Sequence, residues 1–268
     1  GATQKSLMFE LTEGLGGSTT GLKEYWENYY YNCLEQQVSR AISLNDKKLW
    51  AQVASKFGSY IDNNGLLKYF PSATEGSVIL TAYVLSISHE AGFNIDESLE
   101  DRMLTALSQY AEGRLKTNEF NYADGSLRKV MVFETLSRHR RLNLDLLTSI
   151  EYLPSQWPLY TVAEWYQILL WEKEAPNRDK ELAHLESILR NKFYFSAKRL
   201  QLRDEGLETM PWMMRDSEGA LIRLVLTTLS ESSWQSDVPR LYGGLLSRQD
   251  KGSWQTTTNN AWGRILMD

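Results

Sequence analysis

The chain has 268 residues, of which 42% are hydrophobic and 24% charged, and its formal net charge is -5. This apolar content excludes a disordered chain, and no apolar run reaches the roughly 20 residues of a membrane-spanning helix. The negative charge argues against a nucleic-acid-binding surface. One cysteine excludes a disulfide framework within the chain, and three scattered histidines exclude a His/Cys metal cluster, so we expect neither metal nor cofactor.

Apolar residues at helical spacing dominate the pattern along the whole chain. Asn32 is the predicted N-cap of a helix that runs from Cys33 to about Ile42. The other predicted helices are Lys47–Tyr60, Ser77–Ile87, Leu99–Leu115, Ser126–Arg138, Leu144–Tyr152, Val162–Lys173, Asp179–Asn191, Ser217–Glu231, Val238–Arg248 and Thr256–Met267. Helices that are apolar on most of their surface alternate with more highly charged ones. We therefore predict an all-α fold, and within that class an α/α-toroid, in which an inner ring of helices lies inside an outer ring.

The two ends of the sequence bear on its domain organisation. It begins with Gly1-Ala2-Thr3 rather than methionine, and it stops at Asp268, inside a predicted helix. We expect residues 1–268 to be a single domain excised from a larger multidomain protein, with neighbouring domains among its partners. No targeting segment is visible in this piece of sequence.

The only cysteine, Cys33, lies three residues before Gln36. In the first turn of a helix these side chains share one side, and the helix dipole and free backbone N–H groups favour a thiolate there. A Cys33 thiolate that attacks the Gln36 carboxamide would expel ammonia and close an internal thioester. Trp26, Tyr29, Tyr30 and Tyr31 are suited to cover such a bond against water. The alternative is that Cys33 is only a small buried apolar residue.

The segment Tyr29–Gln37 resembles the thioester motif of the alpha-2-macroglobulin family, in its bacterial branch. The usual string there is Tyr-Pro-Tyr-x-Cys-Leu-Glu-Gln, and Tyr30 stands here in place of the proline. Further resemblance lies in Leu80–Leu85, Met213–Leu226 and Gly252–Trp262, so the similarity extends over most of the chain. The thioester domain of this family is an α/α-toroid, in agreement with the helical pattern.

The resemblance implies a protease-trapping protein of the bacterial cell envelope, periplasmic or lipid-anchored. Cys33 and Gln36 would carry the thioester, which a surface lysine of a target protease attacks, giving an amide on Gln36 and a free Cys33 thiol. Such a domain is a single-use covalent trap rather than a turnover enzyme. Tyr29 and Tyr31 match the aromatic shield of the family, and Glu35 matches its acidic motif position, with an expected structural or polarising role.

Histidines bear on the nucleophile that this thioester would accept. Complement-type domains use a downstream histidine to pass the acyl group to hydroxyls, and the corresponding region here, around Phe120–Arg128, has none. His89, His139 and His184 lie in helical stretches with polar neighbours, as surface or partly buried histidines do. We therefore predict a preference for amines. No nucleic-acid partner and no direct membrane insertion by this domain are expected.

Two other functions remain open at this stage. Toroid enzymes that process glycans use aromatic residues to line a cleft and paired carboxylates as acid and base. The aromatic candidates are Trp157, Trp165, Tyr166, Trp171, Trp212, Trp234, Trp254 and Trp262, and the carboxylate candidates are Glu164, Asp204, Glu205, Asp216 and Glu218. The simpler interpretation is that these aromatic rings fill the core. In the second alternative, Cys33 and Gln36 never react, and the domain serves only for structure or interaction.

Overall fold

Helices make up most of the structure, a computed structural model that describes residues 19–118, 125–196, 199–203 and 210–268. The α-helices are α1 (19–27), α2 (Leu34–Ser43), α3 (Lys47–Ala54), α4 (Phe57–Tyr60), α5 (Val78–Ala91), α6 (Glu97–Ala111), α7 (Gly125–Arg138), α8 (Leu159–Trp171), α9 (Arg178–Asn191), α10 (Ser217–Thr228), α11 (Val238–Leu246) and α12 (Thr257–Met267). Strands β1 (Phe193–Ser196) and β2 (Arg199–Leu202) form an antiparallel hairpin that pairs Phe193 with Leu202. The predicted all-α class is confirmed.

Burial divides the helices into two sets. Helix α5 is apolar almost all round, is capped by the Ser77 side chain on the Leu80 N–H, and ends at Gly92 in the left-handed region. It is buried along most of its length, as are α2, α7, α8, α10 and α12. Helices α3, α6, α9 and α11 bury only one face. This is the alternation that the sequence predicts.

Contacts between the six buried helices follow a closed order. Helix α2 packs on α5, α5 on α7, α7 on α8, α8 on α10, α10 on α12, and α12 packs back on α2. Helix α3 packs on α2, α6 on both α5 and α7, α9 on α8, and α11 on α10. This closed order of neighbours agrees with an α/α-toroid, but the toroid itself stays a prediction.

The buried helices run in the same direction. In their first turns, Glu35 of α2 accepts a hydrogen bond from Thr257 of α12, and Asn259 of α12 donates to Asp216, the N-cap of α10. At the opposite end, the ring of His89 in the last turn of α5 lies 4.8 Å from that of His139, which follows α7. The helix N-termini therefore gather at one end of the domain and the C-termini at the other.

Several predicted boundaries differ from the structure. The segment predicted as one helix from Lys47 to Tyr60 is divided into α3 and α4, because the chain turns after Ala54. The predicted helix Leu144–Tyr152 is wrong: a 3₁₀ helix spans Leu144–Ser149, capped by Asn143. The β1–β2 hairpin has no counterpart in the predicted helices. Within the described ranges, no helix is both long and apolar enough to cross a membrane.

Close packing of α12 leads to a stability prediction at Gly263. A Cβ at Gly263 would collide with the indole ring of Trp254, which is buried. We expect Gly263→Ala to lower the free energy of unfolding by about 1–3 kcal/mol, because the ring has no free space to move into. The control is Gly243→Ala in α11, where a Cβ would meet only the flexible Arg199 side chain at 3.8 Å. Urea unfolding would measure both, and an unchanged Gly263→Ala variant would contradict this packing.

Candidate functional site

Cys33 and Gln36 form a reciprocal pair at the start of α2. Cys33 is the N-cap residue, with extended backbone (φ −71°, ψ 170°), and Gln36 is at position N3. The Gln36 backbone N–H points at the Cys33 sulfur, while the Cys33 N–H donates to Gln36 Oε1 at 2.8 Å. This is a capping box, which satisfies two N–H groups that a helix start otherwise leaves unpaired. The predicted N-cap was wrong by one residue: it is Cys33, not Asn32.

This capping box has chemical consequences. The hydrogen bond from the Cys33 N–H polarises the Gln36 carboxamide, since it is directed at the oxygen on which negative charge would develop during attack at the carbonyl carbon. The thiol lies on the same helical turn as that carboxamide. The three-residue spacing therefore does bring the two groups together.

The neighbouring glutamine, Gln37, is held differently. Its Nε2 donates to the Asn32 carbonyl at 3.1 Å and to Tyr60 Oη at 3.2 Å. The Gln36 amide alone takes part in the capping box with Cys33. The chain thus offers two adjacent glutamines in different environments, which is useful as an internal control.

Burial controls the acidity of Cys33, whose side chain is almost covered. Removal from water raises the pKa of the Cys33 thiol, and the backbone N–H of Gln36 acts in the opposite direction. The helix N-terminus therefore lowers the pKa of the thiol, as expected, but burial raises it by more. The thiol is protonated at neutral pH.

Tyr29 lies against the nitrogen end of the Gln36 amide, and Gln36 Nε2 donates to Tyr29 Oη at 3.2 Å. The Tyr29 ring stacks on Tyr25 and contacts Trp26 and Tyr31 edge-on. Trp26 is buried and Tyr29 is half-buried. Tyr30 and Tyr31, by contrast, are 88% and 75% exposed. Of the four aromatic residues expected to cover the motif, Tyr30 therefore leaves its ring in solvent. Tyr31 is also largely exposed and packs edge-on against Tyr29.

Glu35 lies on the buried side of α2, in a network of hydroxyl groups. Its Oε1 accepts from Ser39 Oγ at 2.5 Å and from Thr257 Oγ1 at 2.8 Å, and Ser39 Oγ lies 2.7 Å from Tyr83 Oη. Burial raises the pKa of Glu35, while the Ser39 and Thr257 hydroxyls oppose the shift. The network fastens the first turn of α2 to α5 and α12. The sequence singled out the segments of Tyr83 and Thr257 without indicating this contact.

Most of the aromatic residues proposed for a glycan-processing site are buried, and two of the set, Trp171 and Trp262, line an open cavity. Six of the eight aromatic candidates lie in α-helices or 3₁₀ helices and six are buried, whereas Trp171 and Trp212 are exposed. Glu164 is buried and pairs with Arg215. Asp216 caps α10 and binds Asn259. Asp204 and Glu205 lie outside the described residues. Most of these rings fill the core, as the simpler interpretation holds.

The ring contacts of the three histidines involve neither Cys33 nor Gln36. His89 and His139 form a pair, and His184 lies beside Tyr152. Residues 119–124, which include most of the segment aligned with a downstream histidine, are outside the described part of the chain. Among the residues that are described, no group of three or more His, Cys, Asp or Glu side chains could hold a metal ion.

Comparisons with known proteins connect this geometry to a fold. No protein-family model and no curated protein matches the sequence. Solved structures do match, and one is native alpha-2-macroglobulin from Escherichia coli, spanning domain MG7 to the C-terminus. It aligns with 92% of this chain at a TM-score of 0.66 and 17% identity. This chain has the fold of a domain of that protein.

Related structures give the same result. Salmonella alpha-2-macroglobulin reacted with methylamine aligns with 94% of this chain, at a TM-score of 0.67 and 17% identity. Trypsin-activated alpha-2-macroglobulin from Escherichia coli aligns with 88%, at a TM-score of 0.64 and 15% identity. The chain spans 41% of the MG7-to-C-terminus fragment and 17% of each of these two longer chains. The fold is therefore that of one part of a bacterial alpha-2-macroglobulin, as the sequence motifs predict.

Proposed function

We propose that this chain is the thioester domain of a bacterial alpha-2-macroglobulin-like protease inhibitor, and that Cys33 and Gln36 form its internal thioester. The observation that carries the proposal is the reciprocal capping box, in which the Cys33 N–H binds the Gln36 carbonyl oxygen while the Gln36 N–H faces the Cys33 sulfur. The alpha-2-macroglobulin fold supports it, and so does the order of helix contacts, which suits a toroid.

Thioester formation is an acyl transfer within the α2 capping box. The Cys33 sulfur attacks the Gln36 carboxamide carbon, the C–S bond forms, the C–N bond breaks, and ammonia leaves with the proton of the thiol. The Cys33 N–H stabilises the developing oxyanion. Because the reacting groups belong to one helical turn, little orientational freedom has to be lost on ring closure.

Trapping is the second acyl transfer. A lysine amine of a protease attacks the same carbon, a C–N bond forms, the C–S bond breaks, and the thiol regains a proton that the amine loses. Gln36 Nε2 in the present amide marks the position of the incoming nitrogen, and Tyr29 Oη lies 3.2 Å from it, ready to accept an N–H. The reaction consumes the thioester once, so the domain is a trap and not a turnover enzyme.

The proposal also covers the partners of the protein, its location and its neighbouring domains. The structural neighbours include alpha-2-macroglobulins activated by trypsin and by porcine elastase, which supports proteases as covalent partners. We place the protein in the bacterial cell envelope, in the periplasm or as a lipoprotein, with residues 1–268 as one domain of a larger chain. Tyr30 and Tyr31, exposed here beside Cys33, would be covered by a neighbouring domain that keeps water from the thioester.

Intact mass and thiol titration test the proposal. We expect freshly purified protein to lack the mass of one ammonia and to show no titratable thiol, and methylamine to add to the protein while releasing one thiol. Cys33→Ala and Gln36→Ala should abolish both signals. Gln37→Ala, a change in the adjacent glutamine that is bound to Asn32 and Tyr60, should keep them.

The negative outcomes separate the alternatives. Added water in place of ammonia would show that the thioester formed and was then hydrolysed. An unmodified mass with a free thiol, also in the full-length protein, would refute the proposal and leave a non-reactive interaction domain. Equal losses in the Gln36→Ala and Gln37→Ala variants would argue that the capping box does not select the acyl group.

A further inference from the structure

A second polar site lies at the opposite end of the domain from Cys33. The C-terminal ends of α5, α7, α8 and α10 surround an open cavity of about 630 Å³. Small-molecule sites in proteins typically measure about 300–1,000 Å³, so this cavity is large enough for a ligand. Because the N-termini of the buried helices gather at the other end, the cavity shares no residue with the capping box of Cys33 and Gln36.

Two buried guanidinium groups form the floor of this cavity. Arg138 and Arg223 both donate to the same oxygen, Glu134 Oε1, at 2.5 Å, and a second nitrogen of Arg138 pairs with Glu90. Each guanidinium carries five N–H donors. Within the described residues, the buried Arg138 Nε has no acceptor. The two guanidinium groups therefore share one carboxylate oxygen of Glu134, while Arg138 Nε is covered by protein and lacks an acceptor.

Aromatic rings hold these two guanidinium groups in position. The Arg138 guanidinium lies 4.8 Å from the centroid of Trp171, and that of Arg223 lies 3.9 Å from the centroid of Trp262. Stacking on an indole face fixes the plane of a guanidinium and leaves its edge free to donate. Trp171 is 37% exposed, so its ring also offers an apolar wall to a ligand.

The remaining ionisable side chains that line the cavity are His89, Glu90, Arg140 and Glu172. Arg140 is exposed at its rim, and no ion pair to this side chain is found in the described part of the chain. Of the two glutamates, Glu90 pairs with Arg138, whereas Glu172 accepts from a neutral hydroxyl, Ser137 Oγ, at 2.6 Å. Burial, together with His139 and Arg138, lowers the pKa of His89, so its ring is neutral at neutral pH.

We propose that this cavity binds a carboxylate group, with its oxygens accepting from Arg138, Arg223 and Arg140 and its apolar body lying against Trp171. A planar carboxylate matches the fork of a guanidinium, with two oxygens that accept from two N–H groups. The source of the carboxylate is a free small acid or an acidic side chain of a peptide. The site is independent of the thioester proposal, because it involves none of the same residues.

Calorimetric titration with phenylpropionate and with a short glutamate-containing peptide tests this inference. We expect saturable binding of at least one of them, and no binding of phenylpropionamide, which has the same shape without the charge. Arg140→Glu should weaken binding about tenfold or more, because it replaces an attractive charge by a repulsive one. The side chain is exposed, so the variant should fold, and a thermal melt checks that it does.

The matched control is Arg141→Glu, which changes the adjacent arginine. Arg141 pairs with Asp101 at 2.7 Å and does not line the cavity. We expect its affinity to stay within about twofold of the unaltered protein. Binding of phenylpropionate alone would identify small acids as the ligand class, and binding of the peptide alone would identify a protein segment. Absence of binding by both, equal binding of the amide, or equal losses in the two arginine variants would overturn the proposal.

Discussion

Replacing Glu134 by glutamine is expected to lower the free energy of unfolding by about 3–5 kcal/mol. Burial acts to raise the pKa of Glu134, but Arg138 and Arg223 outweigh it and hold the pKa at about 2, so the side chain is ionised in the folded protein. Its two guanidinium partners are themselves buried. A neutral amide would leave Arg223 without its ion-pair partner and Arg138 with Glu90 alone, and an uncompensated buried charge is the main cost of breaking a buried ion pair. Urea unfolding at neutral pH measures the loss.

Glu164→Gln is the matched control within the same buried network. Burial raises the pKa of Glu164 to about 7, although Arg215 opposes the shift. A carboxyl group that is partly protonated at neutral pH is closer in charge to a neutral amide than a fully ionised carboxylate is. We therefore expect this variant to lose only about 1 kcal/mol, close to the value of an ordinary hydrogen bond. Equal losses for Glu134→Gln and Glu164→Gln would contradict the assigned difference in charge.

The same two carboxylates should have opposite effects on the pH dependence of stability. The pKa of Glu164 is higher in the folded than in the unfolded state, so its contribution is full below the unfolded value and is lost as the pH rises towards about 7. The pKa of Glu134 is lower in the folded state, so its contribution is present above the unfolded value and is lost as the pH falls towards about 2. Comparing each glutamine variant with the unaltered protein across pH isolates these contributions.

The fold class could be predicted from sequence because local periodicity decides which residues are buried. The uninterrupted apolar run of α5 and the one-sided pattern of α6 are direct consequences of full and partial burial. The segment Leu144–Tyr152 carries a similar pattern, but Asn143 caps a tighter 3₁₀ turn. The closed order of helices depends on contacts such as Glu35 with Thr257, 222 residues apart. Periodicity contains no information about such pairs.

The sequence predicts some features of the candidate site and not others. The Cys33–Gln36 pairing follows from the helical spacing, since the N-cap and N3 positions of a helix always adjoin. The hydrogen bond of Gln36 to Tyr29 depends on how the chain turns after α1, which the sequence does not specify. The raised pKa of Cys33 could not be foreseen, because burial by the surrounding domain outweighs the local helix N-terminus. The exposure of Tyr30 and Tyr31 is likewise a tertiary property.

Replacing Glu35 by alanine should disturb both stability and thioester formation. The substitution removes the acceptor shared by Ser39 and Thr257, and leaving two buried hydroxyls without it costs about 1–3 kcal/mol. It also releases the first turn of α2 from α12, so the capping box of Cys33 and Gln36 is held less firmly. We therefore expect a lower melting temperature and, under the proposed function, a smaller fraction of protein that lacks the mass of one ammonia.

Glu35→Gln separates the role of the acceptor oxygen from that of the charge. A glutamine oxygen can accept from the same two hydroxyls, and burial already raises the pKa of Glu35, which makes a neutral side chain acceptable at this position. We expect this variant to keep near-normal stability and thioester content. If it is as impaired as Glu35→Ala, a negative charge on Glu35 is required, and its role is to polarise the site. If both variants form the thioester normally, α2 is positioned without this network.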